Sequence, residues 1–119
     1  MAFLMRNISL HPLMVDADLD LVKNKLKSYS SSQVVFSDHS VQSLLLRDGS
    51  KDEVLDNLLK PDRLVYYYIE RGRHVLFFAL SNTRTLKLPV VLAKKHLYIV
   101  TYIKTFKPWQ DLVRERYGK

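Results

Sequence analysis

Four runs decide the fold: LVYYYIE (64–70), HVLFFALS (74–81), LKLPVVLA (86–93) and HLYIVTYIK (96–104). Each is dense in β-branched and aromatic residues and bounded by polar or glycine-containing breaks, so they read as successive strands of one sheet. Arg71-Gly72 fits a tight hairpin turn, 81–85 a slightly longer one, and Lys94-Lys95 a third. Connections this short favour an antiparallel meander, because parallel crossovers need a dozen or more residues. Pro89 cannot donate to a ladder, which places the third run at a sheet edge or at a bulge.

Upstream of the strands the pattern is helical. Residues 16–27 repeat Leu19, Val22 and Leu26 at helical spacing, with acids at the start and lysines at the end to match the helix dipole. Ser28, Ser30, Ser31 and Ser32 form a polar break, and 33–36 reads as a short strand. Ser37 is placed to cap a helix running to about Arg47, with Val41, Leu44 and Leu45 inward, and Asp48-Gly49 stops it. Ser50-Lys51-Asp52-Glu53 has the form of a capping box, Ser50 accepting from the third helical residue and Glu53 reaching back. This second helix turns Val54, Leu55, Leu58 and Leu59 inward. It ends near Lys60, since Pro61 disfavours helical geometry in the residue before it. Pro108 opens a last helix with Trp109, Leu112, Val113 and Tyr117 on one face.

The expectation is an α+β fold in a single domain, 1–119: a leading helix, a helical hairpin, a four-stranded mainly antiparallel sheet and a C-terminal helix. Residues 1–33 form an N-terminal extension, 34–107 the core and 108–119 the closing helix. A chain of 119 residues, 47% hydrophobic, can bury a substantial core. The absence of cysteine excludes disulfides and thiolate metal sites and is compatible with a cytoplasmic location. Arg6, Asn7 and His11 interrupt the apolar start and no small-residue cleavage pattern follows, so no signal peptide is expected. No stretch approaches the ~18 uninterrupted apolar residues of a membrane span, and no membrane partner is expected.

The net charge of +7 is unevenly placed. Residues 1–83 are formally neutral, whereas 84–119 hold nine Lys and Arg against Asp111 and Glu115, which is the entire excess. Clustered cations favour a polyanionic partner through counterion release, RNA first and DNA second; a solvated basic surface is the plainer alternative. In the last run, period-two alternation puts Leu97, Ile99, Thr101 and Ile103 on one face and His96, Tyr98, Val100, Tyr102 and Lys104 on the other. The second set suits gripping phosphate and stacking on bases. Lys94, Lys95 and Lys107 extend it. The imidazole of His39 sits in the first turn of its helix, while His74 joins Arg71 and Arg73 in a basic trio. No histidine pair has metal-ligand spacing, and no glycine-rich phosphate loop or nucleophile elbow is present, so neither metal nor cofactor is expected. RNA cleavage through 2′-hydroxyl attack needs only a base and charge-stabilising cations, which Lys, Arg, His and Tyr supply.

The order Phe36-Ser37-Asp38-His39-Ser40, Leu44 to Arg47, Gly49-Ser50-Lys51-Asp52-Glu53-Val54 and Lys60-Pro61-Asp62 resembles a small prokaryotic domain family that is itself similar to the RelE/BrnT-like ribonuclease toxins. Ile99-Val100-Thr101-Tyr102 resembles that family's terminal strand, with the tyrosine one place early. The likeness covers 34–107 and departs from the pattern at Ser40, where alanine is usual, and at Ser43, where arginine is common. It implies His39 and Arg47 as catalytic candidates, Arg73 more loosely, Tyr102 by residue type as base or acid, and Lys104 by charge. It also implies an acidic antitoxin-like partner. Three functions stay open: a metal-independent endoribonuclease, a non-catalytic module for nucleic acid or an acidic protein, and a homodimerising structural protein using Tyr66, Tyr67 and Tyr68.

Overall fold

The structure is a computed structural model and describes residues 18–117. Readings that fall on 1–17, on the side chain of Tyr117 or on 118–119, including the helix start at Asp16, lie outside the described residues. Helix α1 (18–27) leads into a 3-10 turn, Ser31–Gln33. Then come β1 (Val34–Phe36), α2 (Asp38–Leu46) and α3 (Lys51–Leu59), and a second 3-10 turn, Pro61–Arg63. The strands β2 (Leu64–Glu70), β3 (Arg73–Ser81), β4 (Arg84–Leu92), β5 (Leu97–Ile99) and β6 (Ile103–Thr105) follow, and α4 (Trp109–Tyr117) closes the order.

The sheet has six strands instead of the expected four. Its order is β1-β5-β4-β3-β2, with β6 on the same edge of β4 as β5. Two differences account for the change. The short strand β1 joins the sheet as a parallel edge on β5, Val34 opposite Leu97 and Phe36 opposite Ile99. The fourth run is not continuous: β5 pairs Val90 to Leu92 and β6 pairs Thr85 to Lys87, leaving 100–102 between them. Pro89 explains the gap. It lies in a central strand, not at an edge, and its carbonyl accepts from Val100 N at 2.9 Å. In an extended strand the N and O of one residue point the same way, so the N–H that proline lacks would have faced this same neighbour. The neighbouring strand breaks where there is no donor to pair with.

Both faces of the sheet are covered. In β3, Val75, Leu76, Phe77 and Phe78 are all buried, the continuous apolar run expected of a strand packed on two sides. On the inner face Leu76, Phe78, Leu86, Leu88 and Val90 pack with Leu19, Val22, Leu26 and Tyr29, and with Leu44, Val54 and Leu58 of the hairpin. Each fully buried aliphatic or aromatic side chain here contributes roughly 1.5–3 kcal/mol. Helix α1, placed in an extension by sequence, is therefore part of the main core. On the outer face Trp109, Leu112 and Val113 of α4 cover Tyr66, Val75 and Phe77.

The hairpin corrects two further expectations. Helix α2 turns Ser40, Ser43 and Leu44 inward, while Leu45 is 77% exposed. The reason is close approach to the strand break: Ser37 N donates to Ile99 O, Ser37 Oγ to Val100 O, and Ser43 Oγ lies 3.1 Å from Thr101 Oγ1. Small hydroxyls fit this contact and are satisfied there. Both N-caps form as read, Ser37 Oγ accepting from Ser40 N and Ser50 Oγ from Glu53 N. Ser50→Ala is expected to cost about 1 kcal/mol in denaturant unfolding, since the other half of the capping box is not made.

Candidate functional site

The site is assembled by the meander at one end of the sheet. β4 ends where β3 begins, with His74 opposite Val90, and where β5 begins, with Leu92 opposite Leu97. The β2–β3 turn and the β4–β5 turn are therefore neighbours, and Arg71, Arg73, Lys94, Lys95 and His96 are all exposed there. The first turn has Arg71 at φ 53° and Gly72 at φ 77°. Such a turn ordinarily favours Asn-Gly, so the arginine carries a conformational cost of order 1 kcal/mol. The second is held rigidly: Ala93 N donates to His96 O, Gln33 Nε2 to Lys95 O at 2.9 Å, and the buried Tyr29 hydroxyl to Ala93 O. Among the described residues Arg71, Arg73, Lys94 and Lys95 make no ion pair.

Aromatic surface adjoins these charges. His96 and Tyr98 lie with ring centroids 5.8 Å apart, and Tyr98 is 41% exposed. Tyr98 stands beside Val91 of β4 and Val35 of β1 on the outer face, which α4 leaves open at this end. Unpaired cations beside exposed rings can hold phosphate and stack a base at once.

The remaining sequence candidates are dispersed. Tyr102 was expected on the same face as Tyr98, but the break shifts the alternation by one and turns it inward, 1% exposed. Its hydroxyl donates to Glu53 Oε1 at 2.7 Å, and Lys104 Nζ donates to Glu53 Oε2 at 3.1 Å. Burial first, then the Glu53 carboxylate, push the Tyr102 pKa far above its ordinary 10, with Arg47 opposing. Lys104 is thus an inner-face residue tied to a carboxylate, and so not part of the phosphate-facing line. Lys107 lies at the opposite end of the sheet, paired with Glu115 at 2.8 Å. His39 is exposed on α2 and Arg47 at its C-terminal cap, in the helical layer of the inner face, where Arg47 is within electrostatic reach of Tyr102. Arg73 belongs to the outer face, across the sheet from them. His74 leaves the trio: it faces inward, stacked on Tyr67 at 5.7 Å, and burial lowers its pKa below 6.5. The tyrosine run is largely covered, since Tyr66 stacks on Trp109 and the Arg116 guanidinium lies 3.6 Å from the Tyr68 ring centre.

Sequence reading missed Glu53, whose place in the capping motif concealed its reach to Tyr102. It also counted Arg71 and Arg73 in the formally neutral stretch 1–83, whereas the fold brings them against Lys94 and Lys95. Among the described residues no cluster of three or more His, Asp or Glu could hold a metal ion, and no helix is long and apolar enough to cross a membrane. These features define a compact α+β domain whose mixed, mostly antiparallel sheet carries a basic, aromatic end. Neither protein-family models, curated proteins nor solved structures yield a match to the chain.

Proposed function

We propose that this end of the sheet binds single-stranded nucleic acid, RNA in the RelE/BrnT-like reading of 34–107, as a binding module. The observation that carries it is the convergence of two turns, which sets Arg71, Arg73, Lys94 and Lys95, without an ion pair among the described residues, beside the exposed His96–Tyr98 pair. Binding is favoured over metal-independent cleavage because the suggested catalytic groups do not share one accessible site: Tyr102, although within electrostatic reach of Arg47, is buried, and the sheet separates His39 and Arg47 from Arg73.

Fluorescence anisotropy with a single-stranded RNA tests this. Neutralising about four phosphates gives an expected slope near −3 in log K against log salt, by the single-strand coefficient. The double variant Lys94→Gln/Lys95→Gln should lose about tenfold in affinity and flatten the slope by roughly 1.4. Tyr98→Ala should weaken binding by about 1–3 kcal/mol, the worth of one stacked base. Lys107→Gln, at the far end, should change neither. A slope near zero, or full affinity in the Lys94/Lys95 variant, would remove the proposal. RNA cut in the presence of chelator would replace it with the endoribonuclease reading.

A further inference from the structure

On the outer face, beside the β2–β3 turn, lies a cleft of about 160 Å³ lined by Arg71, Arg73 and Lys87 together with Glu70, Val75 and Pro89. We propose that it receives the terminal phosphate monoester of a bound RNA strand, an inference that rests on the nucleic-acid-binding reading above.

Three observations point to this ligand. The first is charge. Three cations line the cleft against one carboxylate, and Glu70 already lies 3.9 Å from Arg116. Among the described residues Arg71, Arg73 and Lys87 make no ion pair. The excess of about two positive charges matches a phosphate monoester, roughly −1.5 to −2 at neutral pH, better than a chain phosphodiester with its single charge.

The second is placement. Lys87 is half-buried, its ammonium 5.7 Å from the Phe77 ring centre, so an anion reaching it leaves water on several sides. Partial desolvation strengthens charge pairing, and the two arginines that line the cleft can each offer two parallel donors. At about 160 Å³ the cleft has room for a phosphoryl group and part of its sugar, the size of a strand terminus.

The third is continuity with the binding surface. Arg73 precedes His74, which pairs with Val90, so the continued antiparallel register sets it alongside Val91, whose other neighbour is Tyr98. Tyr98 and Arg73 are thus two strand spacings apart, about 10 Å. A strand stacked on Tyr98 can cross β4 and end in the cleft.

The test compares three RNAs of one sequence, about twelve nucleotides long, with hydroxyl ends, a 5′-phosphate or a 3′-phosphate. Anisotropy should show one phosphorylated form binding about tenfold tighter than the hydroxyl-ended strand, as a new charge-assisted contact predicts. Lys87→Met should abolish that preference and leave the affinity for the hydroxyl-ended strand unchanged. Arg71→Gln, on an exposed turn that tolerates the change, should narrow the same ratio and serves if Lys87→Met does not fold. Equal affinity for all three RNAs, with binding still dependent on salt and on Tyr98, would overturn the cleft assignment and leave the binding surface standing. No binding to any of them would overturn both.

Discussion

Tyr102→Ala is expected to destabilise the protein by about 3–5 kcal/mol, the range for truncating a buried aromatic, and to leave Glu53 and Lys104 with a void beside them. Against a total stability of about 5–15 kcal/mol that is a large fraction, visible as a lowered midpoint in urea. Tyr102→Phe keeps the packing and removes only the hydroxyl, so it should cost about 1 kcal/mol, because Glu53 retains Lys104 and is partly solvated. Neither change should alter RNA affinity per folded molecule. A Tyr102→Phe protein of normal stability that has lost a cleavage activity would restore the catalytic role suggested by residue type.

Gly49→Ala is expected to cost about 3 kcal/mol, although alanine is the better helix former and Gly49 is not in the left-handed region. A Cβ at this position would lie 2.6 Å from Tyr102 Cζ, 2.8 Å from its hydroxyl oxygen and 2.9 Å from Leu44 Cδ2. The tyrosine cannot yield, being buried and held by Glu53, so the backbone must shift. Gly72→Ala is the informative comparison. Nothing lies within 4 Å of its Cβ position, and only the φ of 77° resists the change, at a cost of order 1 kcal/mol. Thermal unfolding of the two variants separates steric from conformational requirement, and equal losses would contradict the close approach at Gly49.

The helical hairpin was legible because its signals are local. Ser37 and Ser50 cap, Pro61 stops, and each acts within one turn of the chain. Gly49 was read for the right boundary and the wrong reason: Asp48, at φ 54°, takes the left-handed conformation, and the glycine makes room for the Tyr102 ring from the break between β5 and β6, distant in sequence. The break opposite Pro89 was not legible, because a missing donor on one strand is felt by whichever strand becomes its neighbour. Unbroken alternation then carried Tyr102 and Lys104 to the wrong face. The basic end was half legible: Lys94-Lys95 and His96-Tyr98 stand out in the chain, but their grouping with Arg71 and Arg73 exists only after the meander is folded.

The parallel pairing of β1 with β5 has a kinetic consequence. The meander of β2, β3 and β4 closes through short turns, whereas Ser37 meets Val100 across 63 residues of chain. Loop-closure entropy places that contact after the local ones, so β1, only three residues long, docks onto a sheet already built. As a three-residue edge strand, β1 is expected at the low end of local opening free energy, where amides exchange without global unfolding. Tyr98 stands beside Val35 of β1, so the surface proposed to take up a strand of nucleic acid borders the part of the sheet that is completed last and comes apart first.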